Sequence, residues 1–292
     1  MDRPAYGIAK IDSLPELAWL NTGTMDIDHR IADRYAAINE DERLWIPGTG
    51  DLVRLRTWDI FDRYIPAGMR IADIGGGPGA HAAYLAGKGN DVIMFDPIAR
   101  HVETARARSM AQSQASFRVE LAEARQLPLA DEAVDVALLM GPLYHLIDPR
   151  DRQVALQEAL RVMVPGGQIM AEIITRHAWL IEATARNMLA EPMIWKDFER
   201  NISTGLSQDP DNPPEGGFFA YFHTLDEIRE DLTAVGFTEI TLIAVEGFGR
   251  LLGDLDQRLI EPSGLMQALR LAETEPSMLG VSAHVIGWAR KP

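Results

Sequence analysis

The chain has 292 residues, with 43 acidic side chains against 28 basic ones and a formal net charge of −15 at pH 7. Its length suits two average domains, or one α/β domain of about 200–250 residues with additions. Cysteine is absent, which excludes disulfides, zinc–thiolate sites and iron–sulfur clusters. Because nucleic-acid binders carry basic stripes, the acidic balance predicts no nucleic-acid partner.

The N-terminal sequence lacks the apolar core of a secretory signal, and the longest apolar run, residues 134–147, is too short and too interrupted to span a bilayer. We therefore expect a cytoplasmic protein with no membrane partner. Four of the histidines show no metal-site spacing, so we expect no bound metal; they are His29, His101, His177 and His284.

The N-terminal part predicts helices. Residues 1–50 are polar and mixed and form a predicted helical lead-in, with one helix from Asp28 to Asn39. From Asp51 to Ile65 apolar residues recur at helical spacing, and a Pro-Ala-Gly turn ends this second helix.

After this second helix, the sequence pattern changes to short strand-like runs that alternate with helical ones. This alternation predicts βαβ units and a parallel sheet with helices on both faces. The predicted strands are Arg70–Ile74, Asp91–Phe95, Ser116–Leu121, Val134–Met140 and Gln168–Ile174, and the predicted helices are Ala80–Ala86, His101–Met110 and Arg152–Val162.

Two additions interrupt the predicted sheet domain, which comprises residues 51–175 and 223–292. Residues 176–222 lose the strand pattern and predict an inserted helical substrate cap, with a Pro- and Gly-rich loop near its end. A capping box at Thr224–Glu227 then begins a helix. Two late strands, Thr238–Val245 and Val281–Ala289, are separated by a second, mostly helical insertion.

The strongest local signal is a glycine turn at residues 71–80, where an apolar strand runs through four glycines into a helix. Such a turn lets a ligand approach the backbone closely. Asp96 ends the next strand, 21 positions after Gly75, where a carboxylate can accept hydrogen bonds from ribose hydroxyls. Together they predict a cofactor that contains a nucleoside. Asp73 favours a cationic ligand over a pyrophosphate, although the loose dinucleotide fingerprint is also satisfied.

The ordered motifs resemble those of the class I S-adenosylmethionine-dependent methyltransferases. Within that family, they look like the bacterial enzymes that methylate small molecules and are related to the quinone-biosynthesis methyltransferases. The resemblance covers roughly residues 51–175 and 224–292. It rests on the Asp-Ile-Gly-Gly-Gly-Pro-Gly turn at residues 73–79, on Ala-Glu-Ala-Arg-Gln-Leu-Pro at 122–128 and on Ala-Val-Gly-Phe at 234–237. In the second motif Ala122 and Glu123 replace the Gly and Asp of the family.

This resemblance implies a doubly wound, Rossmann-like α/β fold with a seven-stranded mixed sheet, N-terminal helices and an inserted helical cap. It implies S-adenosylmethionine as cofactor and methyl transfer to a small molecule by in-line displacement. The residues expected to bind the cofactor are Asp73, Gly75, Gly76, Gly77, Gly79, Asp96, Pro97, Glu123, Ala124 and Met140. The segment at 141–144 lacks the side chain with which amino-methyltransferases grip a target amine, which also disfavours DNA as substrate.

Three residues are candidates for catalysis. His145 directly follows the fourth strand and is placed to act as a general base, or simply to bond to backbone. Tyr144 is expected either to orient the acceptor or simply to pack against neighbouring side chains. His223, just before the capping Thr224, contacts substrate at the mouth of the cap or is a surface histidine near a hinge. The aromatic side chains of the cap suggest an aromatic or lipophilic acceptor, or form the core of the cap itself.

Two other functions stay open at this stage. The glycine fingerprint and Asp96 also suit an NAD(P)-dependent oxidoreductase. A methyltransferase-like binding module would keep the cofactor fold without turnover. The sequence does not identify the acceptor atom, and the helical additions offer a surface for a homodimer.

Overall fold

A seven-stranded mixed sheet forms the centre of the molecule, in the order β3-β2-β1-β4-β5-β7-β6. The computed structural model describes residues 29–112, 115–192, 194–208 and 217–292. Strands β1 to β5 run parallel, and β7 pairs antiparallel with both β5 and β6. The predicted α/β fold with a mixed sheet is confirmed. The strands are β1 Arg70–Ile74, β2 Asp91–Asp96, β3 Arg118–Leu121, β4 Val134–Leu139, β5 Met163–Ile174, β6 Thr238–Ala244 and β7 His284–Arg290.

Helices cover both faces of the sheet. One apolar cluster packs the helices after β4 and before β6 against one face, and a second cluster packs the helices beside β1 and β2 against the other. The α-helices are α1 His29–Ala37, α2 Glu40–Arg43, α3 Thr49–Tyr64, α4 Ala80–Gly87, α5 Ala99–Ala111, α6 Pro142–His145, α7 Pro149–Val162, α8 Ala178–Ala185, α9 Ile194–Thr204, α10 Leu225–Val235, α11 Leu255–Arg258, α12 Ser263–Ala272 and α13 Pro276–Leu279.

Local sequence explains where several elements begin. Thr224 accepts a hydrogen bond from the Glu227 backbone N–H, and the Glu227 carboxylate accepts one from the Thr224 N–H, so the predicted capping box begins α10. The second insertion between the late strands contains α11 to α13, as predicted. None of the described helices is long and apolar enough to cross a membrane.

Strand ends differ from the prediction where long-range pairing decides them. The fifth strand was predicted to begin at Gln168 but begins at Met163, because Met163 pairs with Val134 of β4. The last strand was predicted from Val281 but begins at His284, where pairing with Ile174 of β5 starts. The first residue of the predicted N-terminal helix, Asp28, and most of the predicted loop at 209–217 lie outside the described residues.

Candidate functional site

A cavity of about 430 Å³ lies at the carboxyl edge of the parallel strands. Its floor is the turn after β1, and its walls are the segments that follow β2, β3 and β4. The sheet order reverses between β1 and β4, which is where open α/β sheets bind ligands. Helices α1 and α2 contribute Ile31, Tyr35, Glu40 and Arg43 to the opposite wall.

The glycine turn is shaped so that backbone forms the cavity floor. Gly75 has φ +72°, and a Cβ there would lie 2.6 Å from the Pro142 ring; a Cβ on Gly76 would lie 2.6 Å from the Asp73 carboxylate. Gly77 also has positive φ and faces open space. The space beneath the turn therefore has no room for a side chain at Gly75 or Gly76, and the side of the turn that faces the cavity stays open to a ligand.

Asp96 fixes the turn from the neighbouring strand. One carboxylate oxygen accepts a hydrogen bond from the Gly77 N–H at 2.8 Å, and the other accepts one from the Ile98 N–H at 2.9 Å. The second oxygen also lies 3.1 Å from Nδ1 of His101. Because each carboxylate oxygen has two lone pairs, the oxygen that binds Gly77 keeps one for a ligand hydroxyl.

Asp73 lies fully buried beneath the turn; neither of its carboxylate oxygens has a hydrogen-bond donor in good geometry within the described chain, and the Ala82 N–H lowers its pKa only slightly. Burial and the nearby Asp96 carboxylate raise the pKa of Asp73 to about 7. An unpaired buried carboxylate at this depth makes the floor attractive to a cationic group.

Glu123 and Ala124 follow β3 on the far side of the cavity. The Glu123 carboxylate accepts hydrogen bonds from the backbone N–H of Arg125 and from its Nε, both at 2.7 Å. Arg125 also pairs with Asp151 on α7, so the segment after β3 is tied to the helix beside it.

The N-terminal helix brings a tyrosine to the cavity. The Tyr35 hydroxyl lies 2.8 Å from Nε2 of His145, and the Tyr35 ring packs edge-on against His101 and His145. Burial lowers the pKa of His145 to about 4 and raises that of Tyr35, so both groups are neutral near pH 7.

The sequence did not predict the contact of Tyr35 with His145. Glu40 and Arg43, which form an ion pair at the same wall, were missed. The partners Tyr35 and His145 are separated by 110 positions, so no local motif signals the contact.

Most of the predicted site residues line the cavity. Two cofactor candidates do not: Asp73 lies below Gly76, and Gly79 packs against Ala105 and Phe117. The lining residues among those predicted are Gly75, Gly76, Gly77, Asp96, Pro97, Glu123, Ala124, Met140, Tyr144 and His145.

His223 was expected at the mouth of the cap, but it is fully buried and does not line the cavity. Its N–H donates to the Ile174 carbonyl and its carbonyl accepts from the Arg176 N–H, which places it against the end of β5. Burial lowers the pKa of its ring to about 3. Its side chain is therefore not part of the cavity wall.

The aromatic side chains of residues 176–222 also stay outside the cavity. Trp179 and Phe198 pack with α8 and α9, while Phe218 and Phe222 pack behind Tyr144. They form the core of that segment, and the aromatic acceptor inferred from them loses this support.

The site suits S-adenosylmethionine by its own chemistry. The glycine turn leaves backbone open to a ligand, Asp96 retains an acceptor for a sugar hydroxyl, and the unpaired Asp73 attracts a cation from below. When bound, this cofactor supplies a methyl group on a positively charged sulfur. Gly75, Gly77, Asp96 and Glu123 would hold it.

Comparison with known proteins gives a matching family. Residues 71–167 match a family model described as a methyltransferase domain. An uncharacterized methyltransferase of Mycobacterium bovis is 34% identical over 112 residues, which cover 38% of this chain and 42% of the relative. The chain thus spans about two fifths of the length of that relative.

A ubiquinone/menaquinone biosynthesis C-methyltransferase of Rubrivivax gelatinosus is 28% identical over 182 residues, or 62% of this chain and 63% of the relative. The solved 1,6-didemethyltoxoflavin-N1-methyltransferase of Burkholderia thailandensis, with S-adenosylhomocysteine bound, shares the fold with a TM-score of 0.56 and 15% identity, over 90% of this chain and 88% of that chain. Residues 71–167 thus match a methyltransferase domain, and the chain has the fold of solved S-adenosylmethionine-dependent methyltransferases.

Proposed function

We propose that the protein transfers the methyl group of S-adenosylmethionine to a small-molecule acceptor. The observation that carries this proposal is the combination of the open glycine turn with the unpaired, buried Asp73 beneath it. A sulfonium cofactor with an α-amino group brings positive charge to that floor, where a carboxylate stabilises it.

The same floor argues against a nicotinamide dinucleotide. A pyrophosphate at the turn would carry negative charge close to Asp73, which is buried beneath it. Like charges at short range in a buried site repel strongly. The oxidoreductase alternative is therefore disfavoured by the electrostatics of this turn.

Three features support a small-molecule acceptor. Helices α1 and α2 form one wall of the cavity, whose volume of about 430 Å³ suits a metabolite. The chain carries a formal charge of −15, which repels nucleic acid. Two relatives named above act, by their names, on quinone precursors and on a toxoflavin precursor.

His145, Tyr144 and Tyr35 form the wall on the acceptor side in this proposal. Because burial lowers the pKa of His145 to about 4, its neutral imidazole is a weak base and serves as a hydrogen-bonding group. The Tyr35 hydroxyl lies 2.8 Å from Nε2 of His145, and this hydrogen bond fixes the orientation of the imidazole ring. The wall therefore positions the acceptor for in-line displacement, and position supplies much of the rate in such a reaction.

Residues 176–222 are proposed to act as a cap that shields this wall from water. Phe218 packs against the rings of both Tyr144 and His145. A dry site strengthens the electrostatic contacts that hold cofactor and acceptor.

Methyl transfer from S-adenosylmethionine with an isotopically labelled methyl group tests the proposal directly. The purified protein is incubated with phenols, quinols, amines and heterocycles, and labelled products are detected by mass spectrometry. We expect one chemical class to be methylated, with one S-adenosylhomocysteine released for each methyl group transferred. Cofactor binding without any labelled product would favour the non-catalytic binding module.

A further inference from the structure

A buried acid–histidine pair lies two strands from the cavity wall and is not used above. Glu246 lies two residues after the end of β6 and is fully buried. One of its carboxylate oxygens lies 2.6 Å from Nδ1 of His284, the first residue of β7. The other accepts hydrogen bonds from the His284 N–H at 2.9 Å and from the Ser282 hydroxyl at 3.0 Å.

These contacts fix the orientation and the tautomer of the imidazole. The charge and hydrogen bond of His284 outweigh burial and bring the pKa of Glu246 down to about 2, so the carboxylate is ionised. An ionised carboxylate on Nδ1 keeps the proton there and leaves the lone pair of the neutral ring on Nε2. Nε2 makes no hydrogen bond with the described residues, and the His284 side chain keeps 19% of its surface exposed. His284 therefore has the arrangement of an oriented general base.

The strand register carries this pair toward the cavity. Leu139 of β4 pairs with Ala171 of β5, so the next residues, Met140 and Glu172, come opposite each other. Ile174, two residues beyond Glu172 on the same face, pairs with His284. Met140 lines the cavity, and neighbouring strands lie about 5 Å apart. Glu172 is thus one strand from the cavity wall, and His284 is one strand further.

Side chains that lie between the Glu246–His284 pair and the cavity connect the two. Tyr144, which lines the cavity, shares an apolar cluster with Ile174 and with Ala283, the residue before His284. Glu172 is 5% exposed, and no described residue donates a hydrogen bond to its carboxylate. This carboxyl group, between the cavity and His284, is free to bind a polar group of a ligand.

We propose that Glu172 and the Glu246–His284 pair form an acceptor subsite that binds and deprotonates an acidic hydroxyl, of the phenol or enol type. The acceptor O–H bond breaks as an N–H bond forms at Nε2 of His284, and the electron pair stays on the acceptor oxygen. The Glu246 carboxylate balances the imidazolium charge. The acceptor electrons then form the bond to the methyl group, and the C–S bond breaks with its electrons on sulfur. This inference rests on the proposed function.

The groups around His284 set the pH at which it acts. Burial lowers its pKa, but Glu246 and Glu172 raise it and outweigh both burial and the Arg43 guanidinium, so the pKa lies above its ordinary value. The neutral, proton-accepting form therefore accumulates only as pH rises through that raised pKa. We expect the rate to rise with pH over that range and then to level off.

The spectrum of bound 4-nitrocatechol tests the subsite without turnover, because the ionised phenol absorbs at longer wavelength. The complex with protein and S-adenosylhomocysteine is measured well below the pKa of the free compound. We expect the ionised spectrum with the wild-type protein and its loss in His284→Asn. His177→Asn, at an exposed histidine outside the cavity, is the matched control.

NMR titration of His284 in the absence of any acceptor is the second measurement. Glu246→Gln should lower its pKa, because the carboxylate that raises it is removed, and the low-pH limb of the rate profile should shift in the same direction. In His284→Asn we expect turnover to fall about 100-fold, as for loss of a general base.

Calorimetric binding of S-adenosylhomocysteine separates the two proposals and monitors folding. If it binds all variants while the ionised spectrum is absent from the wild-type complex, or persists in His284→Asn, the subsite is contradicted and the cofactor proposal stands. If it does not bind the wild-type protein, the proposed function itself fails.

Discussion

At the scale of single residues, the site is held by carboxylates whose roles differ with their surroundings. Asp96 and Asp73 lie on adjacent parallel strands and are both buried. Asp96 has hydrogen-bond donors on both oxygens, whereas Asp73 has none in good geometry within the described chain. The first therefore fixes the turn, and the second is left to respond to charge and to pH.

Asp96→Asn should weaken binding of S-adenosylhomocysteine by about 10- to 100-fold, because an amide cannot accept on both sides and hydrogen bonds to charged groups contribute about 1.5–3 kcal/mol. Calorimetry measures the affinity. Asp91→Asn is the matched control, since Asp91 begins the same strand with an exposed side chain. Equal affinities for the two variants would contradict the role given to Asp96.

Asp73→Asn should reduce the dependence of stability on pH. The pKa of Asp73 is about 7 in the folded protein, above its ordinary value of 3.8. The folded state therefore holds an extra proton between these values, and the wild-type protein loses stability as pH rises from about 4 to 7.

Urea unfolding at pH 4 and pH 8 measures this effect. Relative to wild type, Asp73→Asn should gain a few kcal/mol between the two pH values, since one pKa unit corresponds to about 1.4 kcal/mol. An identical change with pH in both proteins would show that Asp73 titrates normally.

At the scale of elements, patterns confined to one segment predicted well. The glycine turn, the capping box before α10 and the core strands were read correctly because short-range geometry decides them. The start of β5 was wrong because pairing with Val134 extends the strand through a Pro-Gly-Gly segment that reads as a turn.

Thr224→Ala should lower the free energy of unfolding by about 1 kcal/mol, as for loss of a helix N-cap. Thr233→Ala, in the exposed last part of the same helix, should change it much less. Chemical denaturation of the two variants compares them. Equal losses would mean that the capping box contributes nothing beyond helix propensity.

At the scale of the whole molecule, the site is assembled from segments far apart in the chain. Tyr35 meets His145 across 110 positions, and Glu246 meets His284 across 38. Local motifs predicted most of the residues that line the cavity, including Tyr144 and His145. They did not predict the contact of Tyr35 with His145, and they placed His223 at the mouth of the cap, because those positions depend on how distant segments pack.

Calorimetric titration of the wild-type protein with S-adenosylhomocysteine and, separately, with NADH tests the central claim most directly. We expect one equivalent of S-adenosylhomocysteine to bind with micromolar or tighter affinity and NADH to give no heat of binding. Binding of NADH alone would contradict the assignment of the glycine turn to a sulfonium cofactor.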